Sequence, residues 1–164
     1  MYKTLSKTQL LIILFIVIAA IFRLVPHMPN FTPLTAMALF SGVYFTNKKL
    51  AFLVPILAML ISDLFIGFST ISIFVYLAFV FIGLIGMFFK KMNLKSILIS
   101  SIAFFIITNF GVWLLSYPKS WAGLVECYTL AIPFFRNALV GDLFYSAIMY
   151  FGFEFVSKRY LKTV

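Results

Sequence analysis

The groups in this chain best able to do chemistry lie in one apolar stretch, Cys127 to Tyr150, reading CYTLAIPFFRNALVGDLFYSAIMY. It carries Arg136, Asn137 and Asp142. An ionisable side chain at the centre of a bilayer costs about 2.5–3.5 kcal/mol on insertion scales. Such groups persist where they face a bundle interior, pair with one another or bind a ligand. At helical spacing Asn137, Ala138, Gly141, Asp142 and Tyr145 share one face. Small residues on that face let a helix or a ligand come close. Arg136 points elsewhere, to the interface or to another helix. A carboxylate at the position of Asp142 needs a cation or hydrogen-bond donors to stay ionised. One reading has Asp142 and Asn137 hydrogen-bonding a polar solute between apolar walls of Phe134, Trp113 and Tyr145. The other has these groups satisfied inside the protein.

The elements that position them are membrane helices. The chain is 64% hydrophobic and only 10% charged, far from the balance of a soluble domain. Its apolar residues come in long blocks with basic residues at their ends, the pattern of a polytopic helical membrane protein with one domain over residues 1–164. Alternation with period two is absent, which argues against an outer-membrane barrel. A net charge of +9 spread over block ends is not the basic face of a nucleic-acid binder. The single cysteine, Cys127, excludes an internal disulfide and a CxxC metal site. Lys3 and Lys7 before Leu10–Phe22 resemble a signal peptide, but Arg23 follows and no A-x-A-like site is present, so a retained first helix is expected.

Six helices are predicted: about Thr8–Val25, Pro33–Phe45, Leu50–Phe68, Thr70–Phe89, Leu94–Leu115 and Leu130–Val156. Pro26 and Pro29 end the first. Thr32 and Pro33 are expected at the N-cap and first position of the second. At 1.5 Å per residue this second helix spans only about 20 Å, short of a ~30 Å hydrocarbon core. Asn30-Phe31-Thr32 is then non-helical backbone near membrane depth, tolerated only where it is buried or lines a cavity. Between the fifth and sixth helices, Ser120 is expected to cap a short amphipathic helix of Trp121, Leu124, Val125 and Tyr128 that covers the outer mouth as a lid.

Ten Lys and Arg fall on one side of this topology (Lys3, Lys7, Lys48, Lys49, Lys90, Lys91, Lys95, Lys158, Arg159, Lys162) and three elsewhere (Arg23, Lys119, Arg136). By the positive-inside rule both termini are cytoplasmic and the number of spans is even. Arg23, Asp63, Asn109, Trp113, Arg136, Asn137 and Asp142 then all lie in the outer half or near the midplane. The expected substrate-binding set is Asn30, Thr35, Asp63, Asn109, Trp113, Arg136, Asn137, Asp142 and Tyr145. Against it stand structural roles. Asp63 and Asp142 with Arg23 and Arg136 are the material of internal ion pairs. Asn109 and Asn137 are able to bond across helices, worth about 0.6 kcal/mol on average in membranes. Trp113, Trp121 and Tyr117 suit an aromatic belt. His27 is a loop residue able to titrate near neutral pH.

No GxxxxGK[ST], HExxH, GxSxG or GxGxxG is present. No metal, cofactor or catalytic site is expected. At RLVPHMPNFTP, SDLFIGF, TNFGVWLLSYP and CYTLAIPFFRNALVGDLFY the sequence resembles an uncharacterised bacterial membrane family assigned to transport, itself similar to the substrate-binding S components of energy-coupling factor vitamin transporters. The resemblance implies an all-α, six-transmembrane-helix bundle in the bacterial inner (plasma) membrane. It implies capture of one small, vitamin-like solute near the outer face under loops 1, 3 and 5. Inward delivery would use a separate transmembrane coupling subunit with ATPases. One departure stands out. S components carry an Ala-x-x-x-Ala pair on helix 1 for that subunit, whereas helix 1 here has Ala19-Ala20, and small residues at that spacing occur as Ala38/Gly42 and Ala58/Ser62. The alternatives are a scaffold subunit, expected to have no outer cavity and mutually satisfied polar groups, and an intramembrane enzyme, for which no motif is found.

Overall fold

The computed structural model describes residues 5–26 and 28–161. Among these it has six α-helices: α1 Lys7–Leu24, α2 Leu34–Tyr44, α3 Lys48–Ile66, α4 Ser72–Phe89, α5 Leu94–Ser116 and α6 Trp121–Tyr160. All but α2 are long and apolar enough to cross a membrane, so the chain has the make-up of a multi-pass membrane protein. Lys3, His27 and Lys162 lie outside the described residues.

Helix starts follow from local capping. Ser6 and Gln9 form a reciprocal capping box on α1, and Asn93 and Ser96 form one on α5. The Asn47 side chain accepts from the Lys49 amide, which starts α3 at Lys48 rather than at Leu50. Pro33 itself is the cap residue of α2, with no side-chain hydrogen bond, so Thr32 does not cap this helix. Gly67, at φ 98°, ends α3 in a conformation that a side chain would strain.

Helix α2 is the centre of the bundle. Its residues Leu34 to Gly42 are all buried, and it packs against each of the other five helices. Its polar residues are spent internally; the Ser41 hydroxyl donates to the Ala51 carbonyl at 2.6 Å. Exposed apolar side chains, such as Leu14, Leu57, Phe81, Ile106 and Phe151, lie on the surrounding helices instead. A helix of 11 residues, about 16 Å long, escapes the length requirement of a span because its neighbours, not lipid, cover it.

Small residues allow that enclosure. A Cβ on Gly42 would stand 2.2 Å from the Gly83 carbonyl oxygen, and one on Gly86 would stand 2.7 Å from the Leu39 oxygen. Backbones of α2 and α4 therefore touch, as small residues permit in membrane bundles. Ala38 and Gly42, with small residues at the four-residue spacing of a docking pair, are buried inside the bundle. Ala58 and Ser62 are buried too.

The largest departure from the sequence reading is α6. Trp121–Tyr128 is not a separate lid. It forms the first two turns of a 40-residue helix, capped by Ser120 as expected. Gly123, Cys127 and Ala131 are buried at four-residue intervals, so one stripe runs straight through the expected break. The Tyr128 hydroxyl donates to the Ile106 carbonyl at 2.7 Å, fixing these turns on α5. Pro133 lies inside the helix and removes one amide donor without ending it.

Two outcomes test this fold. Gly42→Ala drives a methyl group into the α4 backbone, and overpacking of this kind costs about 1–3 kcal/mol. Its melting temperature in detergent should fall clearly; an unchanged value contradicts the α2–α4 contact. The charge distribution also predicts sidedness. In a background lacking Cys127, a membrane-impermeant thiol reagent applied outside should label Lys119→Cys and spare Lys91→Cys, and the reverse pattern contradicts it.

Candidate functional site

Helices α2, α4, α5 and α6 and the loop before α2 enclose a cavity of about 260 Å³. The loop contributes Asn30 and Thr32, and α2 contributes Leu34 and Thr35. From the start of α4 come Ile71 and Val75. One stripe of α5 supplies Ser101, Phe104, Phe105, Thr108, Asn109 and Val112. From α6 come Ala131, Phe134, Phe135, Ala138 and Asp142. The walls are mainly aliphatic and aromatic with a few convergent polar groups, which is the make-up of small-molecule sites.

Among the described residues Asp142 is the one ionisable group in this lining, and only 3% of it is exposed. Its Oδ2 accepts from the Ser101 hydroxyl at 2.7 Å. Thr35 supplies a second side-chain hydrogen bond to the carboxylate. The site thus joins the first turn of α2, the middle of α5 and the middle of α6. Thr108 Oγ1 donates to the Phe104 carbonyl at 2.8 Å, and Asn109 Nδ2 donates to the Phe105 carbonyl at 2.8 Å. Both are bonds back to the preceding turn, the usual way a helix satisfies such donors.

Four of the nine expected residues meet at this cavity: Asn30, Thr35, Asn109 and Asp142. The others lie elsewhere. Asp63 forms a salt bridge to Arg23 at 2.5 Å, and its other oxygen accepts from the Tyr76 hydroxyl at 2.5 Å. Arg23 also donates to Ser62. This network ties α1, α3 and α4 together, so Asp63 and Arg23 hold helices rather than line the cavity. Trp113 Nε1 donates to the Pro118 carbonyl at 3.0 Å, and Lys119 caps the Trp113 and Tyr117 carbonyls. Trp113 therefore fixes the α5–α6 turn. Arg136 is exposed and forms no ion pair among the described residues.

Asn137 and Tyr145 share a helix face with Asp142 but turn toward the loop before α2. Asn137 Nδ2 lies 3.4 Å from the Pro29 carbonyl oxygen, and the Tyr145 ring packs on Phe31 with centroids 5.4 Å apart. Gly141 leaves room for that loop, since a Cβ there would meet Phe31 Cα at 3.1 Å and the Thr32 amide nitrogen at 3.3 Å. The small-residue face thus has two edges. Ala138 and Asp142 face the cavity, and Asn137, Gly141 and Tyr145 hold the loop that closes one side of it. Phe134 is a wall, as expected; Trp113 and Tyr145 are not.

Sequence reasoning missed most of the α5 stripe. Residues 101, 104, 105, 108 and 112 recur at helical spacing, and two hydroxyls on one stripe of an apolar helix were the available signal.

The family model of DUF6580, a family of unknown function, matches residues 3–163. The chain belongs to this family. No curated protein and no solved structure matches the chain. The DUF6580 match covers every element that builds the cavity.

The ion pair carries a prediction of its own. Asp63→Ala leaves the half-buried Arg23 with only Ser62 as a partner, a loss that approaches the roughly 3–5 kcal/mol of a broken buried pair only as an upper bound. The variant should melt clearly lower in detergent, and an unchanged melting temperature contradicts the structural role of this pair.

Proposed function

We propose that this DUF6580 protein is a membrane-embedded solute-binding protein that captures a small molecule from the outer side of the bacterial inner membrane for uptake. The observation that carries the reading is the cavity itself. Aromatic and aliphatic walls flank a buried carboxylate for which no described residue supplies a counter-charge. A volume of about 260 Å³ is slightly below the usual range of roughly 300–1,000 Å³ for ligand pockets, which suits a compact solute.

In this reading the loop of Asn30 and Thr32 gates the site, because it forms one wall and rests on α6 through side-chain contacts. The segment after Ser120 does not gate it, being part of α6. Both termini and the Lys-rich helix ends face the cytoplasm. Energy for inward delivery comes from a transmembrane coupling subunit with ATPases, since the chain carries no phosphate-binding loop. Ala38, Gly42, Ala58 and Ser62 are buried in the bundle, so such a subunit docks on the larger apolar side chains of the outer helix faces.

The scaffold reading draws on the Arg23–Asp63–Tyr76 network, in which polar groups satisfy one another. It leaves the cavity without a role. Asp142→Asn separates the two readings. The amide is nearly isosteric, so the fold should persist. Loss of a matched buried polar partner should weaken solute retention by about 1–3 kcal/mol. Melting temperature and the amount of co-purifying small molecule are measured on the same detergent sample. Lost stability with unchanged retention would end the ligand-site reading.

A further inference from the structure

We infer that the solute is a small organic cation, bearing N–H donors on an apolar or aromatic body. This rests on the reading of the cavity as a solute site and names the chemistry that the site selects.

The first observation is charge. Among the described residues, Asp142 is the one ionisable group in the lining, and no Lys or Arg lines the cavity. The two intramembrane arginines do not compensate it: Arg23 is held by Asp63, and Arg136 is exposed and outside the lining. An anionic solute would meet a like charge in a low-dielectric site with no counter-ion, whereas a cation would supply the one that is missing.

The second observation concerns hydrogen bonds, and it is independent of charge. The hydroxyl donor of Ser101 is directed at Asp142 or the Ile97 carbonyl. That of Thr35 serves the Asp142 carboxylate, and that of Thr108 goes to the Phe104 carbonyl. One Asn109 N–H goes to Phe105. What these side chains still offer is mostly lone pairs, on the carboxylate, the hydroxyl oxygens and the Asn109 carbonyl oxygen. Around Asp142 the side chains of α2, α5 and α6 therefore offer more acceptors than donors, the remaining donors being the second Asn109 N–H and, on the loop, Asn30 and Thr32. A solute with N–H groups satisfies these acceptors, while one that presents only acceptors leaves both partners unpaired. The four phenylalanines of the α5 and α6 walls add faces that attract a cation and pack on an aromatic ring.

The test uses three probes with one carbon skeleton: phenethylamine, 2-phenylethanol and phenylacetate. Binding to the detergent-solubilised full chain is measured calorimetrically at neutral pH, on wild type and Asp142→Asn. The amine should bind at least tenfold more tightly than the alcohol, and phenylacetate should not bind. Asp142→Asn should erase the advantage of the amine. The inference is overturned if phenylacetate matches the amine, or if the amine keeps its advantage in Asp142→Asn. The comparison of amine with carboxylate on wild type stands even if the variant does not fold. If no probe binds, the charge of the molecule that co-purifies decides. A cation upholds the inference. A neutral or anionic molecule overturns it and leaves the cavity reading intact. No probe binding and no co-purifying molecule removes both.

Discussion

Helix α2 is enclosed by the other five helices, and most of the architecture answers to that enclosure. An 11-residue helix cannot present its ends to water across a hydrocarbon core. Its flanking backbone must therefore be satisfied inside the protein. Gly42 and Gly86 let α2 and α4 meet backbone to backbone, and Gly83 leaves room for the Phe52 ring of α3. The loop of Asn30 to Thr32 rests on α6, with Phe31 against Phe144, Tyr145 and Gly141. It lines the cavity with α2, α4, α5 and α6, and Thr35, in the first turn of α2, reaches Asp142 there.

The two buried aspartates then divide into different roles. Asp63 has an arginine, a tyrosine hydroxyl and a place between three helices. Removing its partner would leave a bare charge, so its energetics belong to folding. Asp142 has two hydroxyl donors, no cation among the described residues and an open space beside it. Hydroxyl bonds orient the carboxylate but do not neutralise it. The difference between the two sites is therefore not burial, which is 2% exposure for one and 3% for the other. It is whether the compensating charge is built in.

Much of this was legible in the sequence, for identifiable reasons. Pro26 and Pro29 end the first apolar block and Lys-rich breaks separate later ones, so the ends of α1 to α5 fall within about two residues of the expected bounds. The shortness of α2 was equally plain, and with it the unusual loop before it. The continuity of α6 was not, because the stripe of Trp121, Leu124, Val125 and Tyr128 has the same spacing on an interfacial helix as on the start of a long one. Pairing was the other blind spot. Whether Asp63 meets Arg23 or a solute depends on which helices adjoin, which periodicity within one helix does not contain. Asn137 and Asp142 share a face by spacing, yet the loop and the cavity divide that face between them. Ser101 went unnoticed because a serine in an apolar helix ordinarily bonds back to its own turn, as Ser101 also does with Ile97.

The central claim is that the cavity beside Asp142 holds a solute. Native mass spectrometry of the full chain released from lipid nanodiscs tests it most directly, with Ala138→Trp as the comparison. Ala138 lies in the cavity wall one turn before Asp142, and an indole there takes up the space while leaving Asp142, Ser101 and Thr35 themselves unsubstituted. The account predicts one small adduct of constant mass on wild type and none on a folded Ala138→Trp protein. The same adduct on both proteins would place the bound molecule elsewhere and contradict the account.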